Sequence, residues 1–169
     1  MIYKRALLLV LVTLTGLAVE TSVLGSLTLA GARPEILLVV TVALAMSEGP
    51  AFGTTAGFVM GLSTDVLLHR PDGITALAFM FAGYAVGRIR MQLQLPSAWL
   101  PMAMVFLATL ASVLLTGGLT AAAGRGVPAW LIVRDAVLAA VYNTVLTPFV
   151  FPVVRALATR LRPVKAVTN

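Results

Sequence analysis

The amino-acid sequence predicts an all-α membrane protein, a compact bundle of six transmembrane helices in a single domain over residues 1–169. The 169 residues are 60% hydrophobic and 11% charged, and the mean hydropathy is +1.02. About a quarter of the residues in a typical soluble domain are charged, so this chain has too few polar side chains to cover a surface in water. The polar residues are mostly short interruptions between apolar runs, which leaves no room for a separate extramembrane domain.

The first predicted helix covers residues 6–29 and follows a short basic segment at residues 1–5. A signal peptide is the competing interpretation, because Ala30, Gly31 and Ala32 imitate a small-residue cleavage site. Signal peptides have an apolar region of roughly 7–15 residues, and this run is longer, so we interpret it as a membrane helix.

The second predicted helix, residues 34–48, begins with Pro34 and Glu35 in its first turn. Proline suits that position because its missing N–H group would have no helical partner there, and an acid is favoured by the helix dipole. At about 1.5 Å per residue this helix is shorter than a bilayer core of about 30 Å. We therefore expect neighbouring helices to shield it.

The remaining helices are predicted at 51–68, 74–89, 97–120 and 129–159. Arg88 and Arg90 are expected to stop the fourth helix, and Trp99 lies at the entrance of the fifth. Pro148 and Pro152 should bend the sixth helix, because each removes a backbone hydrogen bond.

The distribution of basic residues predicts that both termini are cytoplasmic. Six crossings place two sets of basic residues on opposite sides: Lys4, Arg5, Arg88, Arg90, Arg155, Arg160, Arg162 and Lys165 on the side of the termini, and Arg33, Arg70, Arg125 and Arg134 on the other. The side with more Lys and Arg is cytoplasmic by the positive-inside rule.

A stripe of small residues dominates the third predicted helix. Gly53, Gly57 and Gly61 recur every fourth residue, and Asp65 continues the series. In a helix these residues share one face, which allows another helix to approach closely. The stripe predicts a packing face, either for helices 2 and 4 or for the transmembrane helix of a partner protein.

Three polar residues lie inside apolar segments: Glu20, Asp65 and Asn143. Carboxylates are costly at membrane depth, so they indicate either a function or a specific hydrogen bond. Glu20 and Asp65 both fall in the outer half of the membrane and could share one site. We favour structural hydrogen bonds over proton or ion transport, because no acid or histidine continues a path toward the cytoplasm. For Asn143 we expect a hydrogen bond between helices.

The residue inventory argues against an enzyme and against nucleic-acid binding. His69 is the only histidine and there is no cysteine, which argues against a metal site and excludes disulfides, and no cofactor is expected. We find no serine paired with histidine or lysine, no glycine-rich phosphate loop and no basic patch with interleaved aromatic residues. The basic residues are typical of topology signals and contacts with anionic lipids.

Taken along the chain, these features resemble the MreD family of rod shape-determining membrane proteins. The residues that carry the resemblance are Pro34 with Glu35, Gly57, Gly61, Leu62 and Asp65, Gly73 in the following turn, Gly83, and Asn143 with Pro148 and Pro152. The resemblance implies a non-catalytic protein of the bacterial inner membrane that belongs to the elongation complex. It implies MreC, RodA with its partner penicillin-binding transpeptidase, and MreB at the cytoplasmic face as partners.

The family is also similar in fold to the substrate-binding subunits of energy-coupling-factor transporters. The alternative function is therefore a membrane subunit that binds a vitamin or another small solute. Those subunits usually carry an Ala-xxx-Ala docking motif in their first helix, whereas Ala6 and Ala18 are the only alanines before Gly25. A solute that copurifies or raises thermal stability would favour this alternative.

Overall fold

The structure, a computed structural model, describes residues 2–22, 34–68, 73–93, 99–124 and 127–161. In these ranges the chain forms six α-helices and no strand: α1 Ile2–Ser22, α2 Ile36–Glu48, α3 Pro50–Leu67, α4 Ile74–Gln92, α5 Leu100–Ala122 and α6 Ala129–Leu161. The all-α prediction is confirmed.

Helix α2 lies at the centre of the molecule. It contacts each of the other five helices, and these surround it as a ring in the order α1, α3, α4, α5, α6 and back to α1. Every residue from 36 to 45 is buried. A helix that is apolar on all sides is stable only when it is enclosed, and the ring provides that enclosure.

The length of α2 agrees with this central position. Its 13 residues extend about 20 Å, which is less than the thickness of a bilayer core. Protein surrounds this helix, so its length does not need to match the thickness of the bilayer core.

Helix α2 begins two residues later than predicted. Glu35 is the N-cap residue of α2, and its carbonyl oxygen accepts the first backbone bond from the N–H of Leu38 at 3.1 Å. Pro34 therefore precedes the helix instead of forming its first turn. The backbone N–H of Glu35 bonds to a distant side chain, described below, and that contact makes Glu35 a cap.

Helix α4 continues past the two arginines that were expected to stop it. It ends at Gln92, and the Nη1 atom of Arg90 donates a hydrogen bond to the carbonyl oxygen of Leu93 at 2.8 Å. A basic side chain near a helix C-terminus satisfies a free carbonyl group and interacts favourably with the helix dipole. Arg90 thus supports the end of the helix.

The first and fifth helices also differ from their predicted bounds. Helix α1 begins at Ile2, before Ala6, and the predicted extension to residue 29 lies outside the described residues. Helix α5 begins at Leu100 with Trp99 as its N-cap residue, while the predicted start at residues 96 and 97 also lies outside them.

Helix α6 runs without interruption through Pro148 and Pro152. Both proline rings are exposed on the outer surface of the bundle. The prolines therefore do not divide the helix, and the predicted bend stays a prediction.

Three of the described helical segments are long and apolar enough to cross a membrane: Ile74–Gln92, Leu100–Ala122 and Ala129–Thr159. The segments Leu9–Ser22 and Ile36–Glu48 are apolar but shorter. Large apolar side chains cover the outside of the ring, among them Phe81 at 54% exposure and Phe149 at 71%. A surface of this kind is suited to contact with lipid or with other membrane helices.

Candidate functional site

The glycine stripe of α3 packs directly on the backbone of α4. A Cβ atom added to Gly53 would lie 2.7 Å from the carbonyl oxygen of Gly83, and one added to Gly61 would lie 2.5 Å from the Cα of Ala76. At Gly57 the added atom would meet the carbonyl group of Phe79. No side chain fits at these three positions unless the two backbones separate.

Helix α4 contributes glycines of its own to this contact. Gly83 faces the carbonyl group of Gly53, and a Cβ on Gly87 would lie 2.5 Å from the Cα of Pro50. Such close antiparallel contact permits Cα–H···O=C interactions in addition to van der Waals packing. The stripe is therefore filled by α4, with Ala45 of α2 also against Gly53, and does not form an open face.

Gly73 and Leu62 have different positions from the stripe. Gly73 is the N-cap of α4 with φ 67°, a conformation that suits glycine in a turn. Among the described residues, no atom lies within 4 Å of a Cβ added there. Leu62 is 43% exposed. It lines an open apolar groove of about 470 Å³ between α1 and α3, together with Leu17, Ala18 and Val66.

Asp65 caps the N-terminus of α4 from the end of α3. Its side chain is 2% exposed, and its Oδ2 atom accepts a hydrogen bond from the backbone N–H of Ala76 at 3.0 Å. The first N–H groups of a helix lack helical partners, and the N-cap residue Gly73 has no side chain to bond them. A buried carboxylate from the neighbouring helix supplies the missing acceptor.

Asn143 joins three helices at the start of α2. Its side chain is fully buried. Its Oδ1 atom accepts a bond from the backbone N–H of Glu35 at 3.0 Å, and its Nδ2 group donates to Thr109 Oγ1 at 3.1 Å. One amide from α6 thus holds the beginning of α2 and the middle of α5 together.

Glu20 is half-buried near the end of α1. Its carboxyl group faces the backbone N–H of Leu37 in the first turn of α2. Among the described residues, its Oε2 atom has no hydrogen-bond partner. Asp65 bonds to the first turn of α4, whereas the carboxyl group of Glu20 faces the first turn of α2. A shared site for the two acids stays a prediction.

Sequence reasoning did not single out Thr109, Gly16 and Gly87, which participate in these contacts. Gly87 follows Gly83 by four residues, and this spacing could have identified it as part of the same small-residue face. Thr109 carried no signal, because a lone threonine in an apolar helix commonly bonds to its own backbone.

Within the described parts of the chain, no three His, Cys, Asp or Glu side chains lie close enough together to hold a metal ion. The arrangement holds the helices in register in two ways. The glycine contacts bring two backbones together, and three polar side chains lie against backbone groups at the beginnings of helices: Asp65, Asn143 and Glu20. These contacts lie inside the bundle, and the outer surface remains available to lipid and to other membrane proteins.

Comparison with known proteins identifies the family. The family model of the rod shape-determining protein MreD matches residues 2–157, which is nearly the whole chain. No curated protein and no solved structure matches. The match includes every residue that carried the resemblance, from Pro34 to Pro152. This chain therefore belongs to the MreD family of membrane proteins, which function in rod shape determination.

Proposed function

We propose that this protein is a non-catalytic scaffold of the elongation complex in the bacterial inner membrane. It links MreC with RodA and the partner penicillin-binding transpeptidase, and it meets MreB at the cytoplasmic face. Membership of a shape-determining family supports the cellular role. The closed packing of α3 on α4 supports a scaffold, because the glycine contacts stiffen the bundle while the outer surface stays free for partners.

We also propose that the chain is one domain whose six helices all cross the membrane, with both termini cytoplasmic and a fold like that of energy-coupling-factor substrate-binding subunits. The support is the excess of basic residues at one end of the bundle, including the exposed Arg88 and Arg155. The ring around α2 supports the crossing of this short helix, since protein replaces lipid around it.

Topology is tested by single cysteines, because the natural chain has none. Ala123→Cys, after the end of α5, should react with a membrane-impermeant maleimide added outside intact spheroplasts. Gln92→Cys, at the end of α4, should react only after the membrane is opened. Labelling of Gln92→Cys from outside would contradict the proposed orientation.

The scaffold role is tested by depletion of the protein in its host, followed by microscopy. Rod-shaped cells should become round, and expression of the natural chain should restore them. Cells that keep their rod shape and their rate of wall synthesis would contradict the proposal.

The partner surface is tested by site-specific photo-crosslinking from the outside of the ring. One exposed apolar residue on each ring helix is replaced with a photoreactive amino acid: Leu14, Phe58, Phe81, Leu107 and Val145. We expect crosslinks to MreC or RodA from a subset of adjacent helices, and a buried position such as Val39 of α2 serves as the control. If no position on the ring crosslinks to either protein while cell shape is maintained, the linking role is wrong.

A further inference from the structure

The ends of α1 and α3 carry the same short sequence pattern. Gly16 and Leu17 are followed by Glu20, and Gly61 and Leu62 are followed by Asp65, so both ends read Gly-Leu-x-x-acid. Gly16 lies six residues before the end of α1 at Ser22, and Gly61 lies six residues before the end of α3 at Leu67. The pattern therefore occupies the same place in both helices.

Each of the two glycines lies against the first turn of the following helix. A Cβ on Gly16 would lie 2.7 Å from Cδ2 of Leu37, and Leu37 is the second residue of α2. A Cβ on Gly61 would lie 2.5 Å from the Cα of Ala76, and Ala76 is the third residue of α4. In each pair the glycine brings its helix close to the first turn of the helix that follows.

Each of the two acids lies at the first turn of the helix that follows. Asp65 accepts the N–H of Ala76 at 3.0 Å, and the carboxyl group of Glu20 faces the N–H of Leu37. Neither α2 nor α4 has a hydrogen bond from the side chain of its own N-cap residue. Asn143 accepts the N–H of Glu35, and Glu20 lies beside the first turn of α2, whose N–H groups have no partner within the helix.

We propose that α1–α2 and α3–α4 are two copies of one helical hairpin, in which the acid of the Gly-Leu-x-x-acid corner caps the following helix from across the corner. Glu20 is then the cap of α2, as Asp65 is the cap of α4. This assignment explains why two carboxyl groups are kept inside an apolar bundle without any transport function.

The difference between glutamate and aspartate follows from the separation of the helices. Gly61 meets the backbone of α4, whereas Gly16 meets only a leucine side chain of α2. Helix α1 therefore packs less closely on its partner, and glutamate has one methylene group more than aspartate with which to reach it.

The α5–α6 pair shares the glycine but lacks the acid. Gly117 contacts the side chain of Ile132 in the first turn of α6, and it lies five residues before the end of α5 at Ala122. Four residues after Gly117 the chain has Ala121 in place of an acid. The combination of a glycine and an acid four residues later thus occurs in two of the three hairpins.

The cap function is tested with amide and alanine variants of the full-length protein in detergent. A cap needs an acceptor atom and not a charge, so Glu20→Gln and Asp65→Asn should stay within about 2 °C of the natural Tm. Glu20→Ala and Asp65→Ala remove the acceptor and should each lower Tm by about 2–6 °C. Asp135→Ala is the control, because this half-exposed acid of α6 accepts no hydrogen bond within the described part of the chain.

Amide hydrogen exchange separates a local cap from general destabilisation. Exchange at the first turn of α2 should become roughly tenfold faster in Glu20→Ala but not in Asp65→Ala, and the first turn of α4 should show the reverse. If Glu20→Ala does not fold, Glu20→Gln still tests the proposal through its Tm. Equal damage from Glu20→Gln and Glu20→Ala, or unchanged exchange at Leu37 in Glu20→Ala, would overturn the assignment.

Discussion

Helical glycines in this protein differ in what an added Cβ atom would meet. At Gly57 it would meet the carbonyl group of Phe79 in α4, whereas at Gly118 of α5 no atom of the described chain lies within 4 Å. The first glycine is required by backbone contact, and the second only costs conformational entropy.

The same substitution should therefore have opposite effects at these two glycines. Gly57→Ala should lower the free energy of unfolding by about 1–3 kcal/mol or more, because α3 and α4 must separate. Gly118→Ala should raise it by about 0.5–1 kcal/mol, since alanine restricts the unfolded chain and favours helix. Thermal unfolding of both variants measures the difference, and equal shifts in Tm would contradict the close contact at Gly57.

Asn143 is expected to be the most costly polar residue to remove. Asn143→Leu leaves the N–H of Glu35 and the hydroxyl of Thr109 buried without this partner. A buried polar group that loses its hydrogen-bond partner costs about 1–3 kcal/mol. We therefore expect an unfolding titration to show that the free energy of unfolding falls by at least about 2 kcal/mol.

Thr144→Val is the matched control for that experiment. Among the described residues, its hydroxyl bonds only to the carbonyl oxygen of Ala140 in the same helix, so its removal should change stability by less than about 0.5 kcal/mol. If Thr144→Val destabilises the protein as much as Asn143→Leu does, this part of α6 is sensitive to any substitution. The experiment would then not support a bridging role for Asn143.

The sequence indicated that Asn143 and Asp65 are polar residues inside apolar helices, but not what they bond. Their partners are backbone N–H groups of Glu35 and Ala76, and every residue carries such a group except proline. Which N–H group lies opposite depends on helix register, and register is set by packing over the whole bundle.

The connection between α2 and α3 is a single residue, Gly49. It is the C-cap of α2 and the N-cap of α3, with φ 94° and ψ −178°. This backbone conformation is accessible almost only to glycine. The turn lets α3 fold back against α2 and places Pro50 against Gly87.

Gly49→Ala should therefore destabilise the protein although space is available. No atom in the described ranges lies within 4 Å of the added Cβ, so the expected cost of about 1–3 kcal/mol comes from backbone strain. The comparison with Gly118→Ala, which is equally open but helical, isolates this effect in thermal unfolding. A neutral Gly49→Ala would show that the turn relaxes into another conformation.

Helix existence was predictable from apolar runs and breakers, whereas several helix ends were not. Apolar runs separated by Gly, Pro and Arg indicated all six helices in order. The start of α2 and the end of α4 depend on Asn143 and on the Arg90 contact with Leu93. Such ends are decided by which group satisfies the last free backbone atoms, and part of that information lies far along the chain.

Among the residues that the structure describes, those of α1 are packed least tightly of all the ring helices. It contacts α2, α3 and α6, but an open groove separates its C-terminal half from α3. Leu11 and Leu14 are exposed by 53% and 59%. Few buried contacts mean a low free energy of local opening.

Hydrogen exchange should therefore rank the helices by their place in the bundle. Amides of α1 should exchange first and those of α2 last, because α2 opens only when the ring opens. The measurement is peptide-resolved exchange of the full chain in detergent, with α5 as an intermediate reference. Exchange of α1 as slow as that of α2 would contradict the central position of α2.

Composition and spacing by themselves determined that the chain is helical, that it belongs in lipid, and that α3 has a face of bare backbone. These properties follow from which side chains are present and from the repeat of the helix, and neither requires knowledge of distant contacts. Only the tertiary structure decided that α4 fills that face, that α2 stands inside a ring, and that Asp65 and Glu20 face the starts of different helices. Those outcomes depend on which helices become neighbours, because one small-residue face fits many partners and only packing of the whole bundle selects among them.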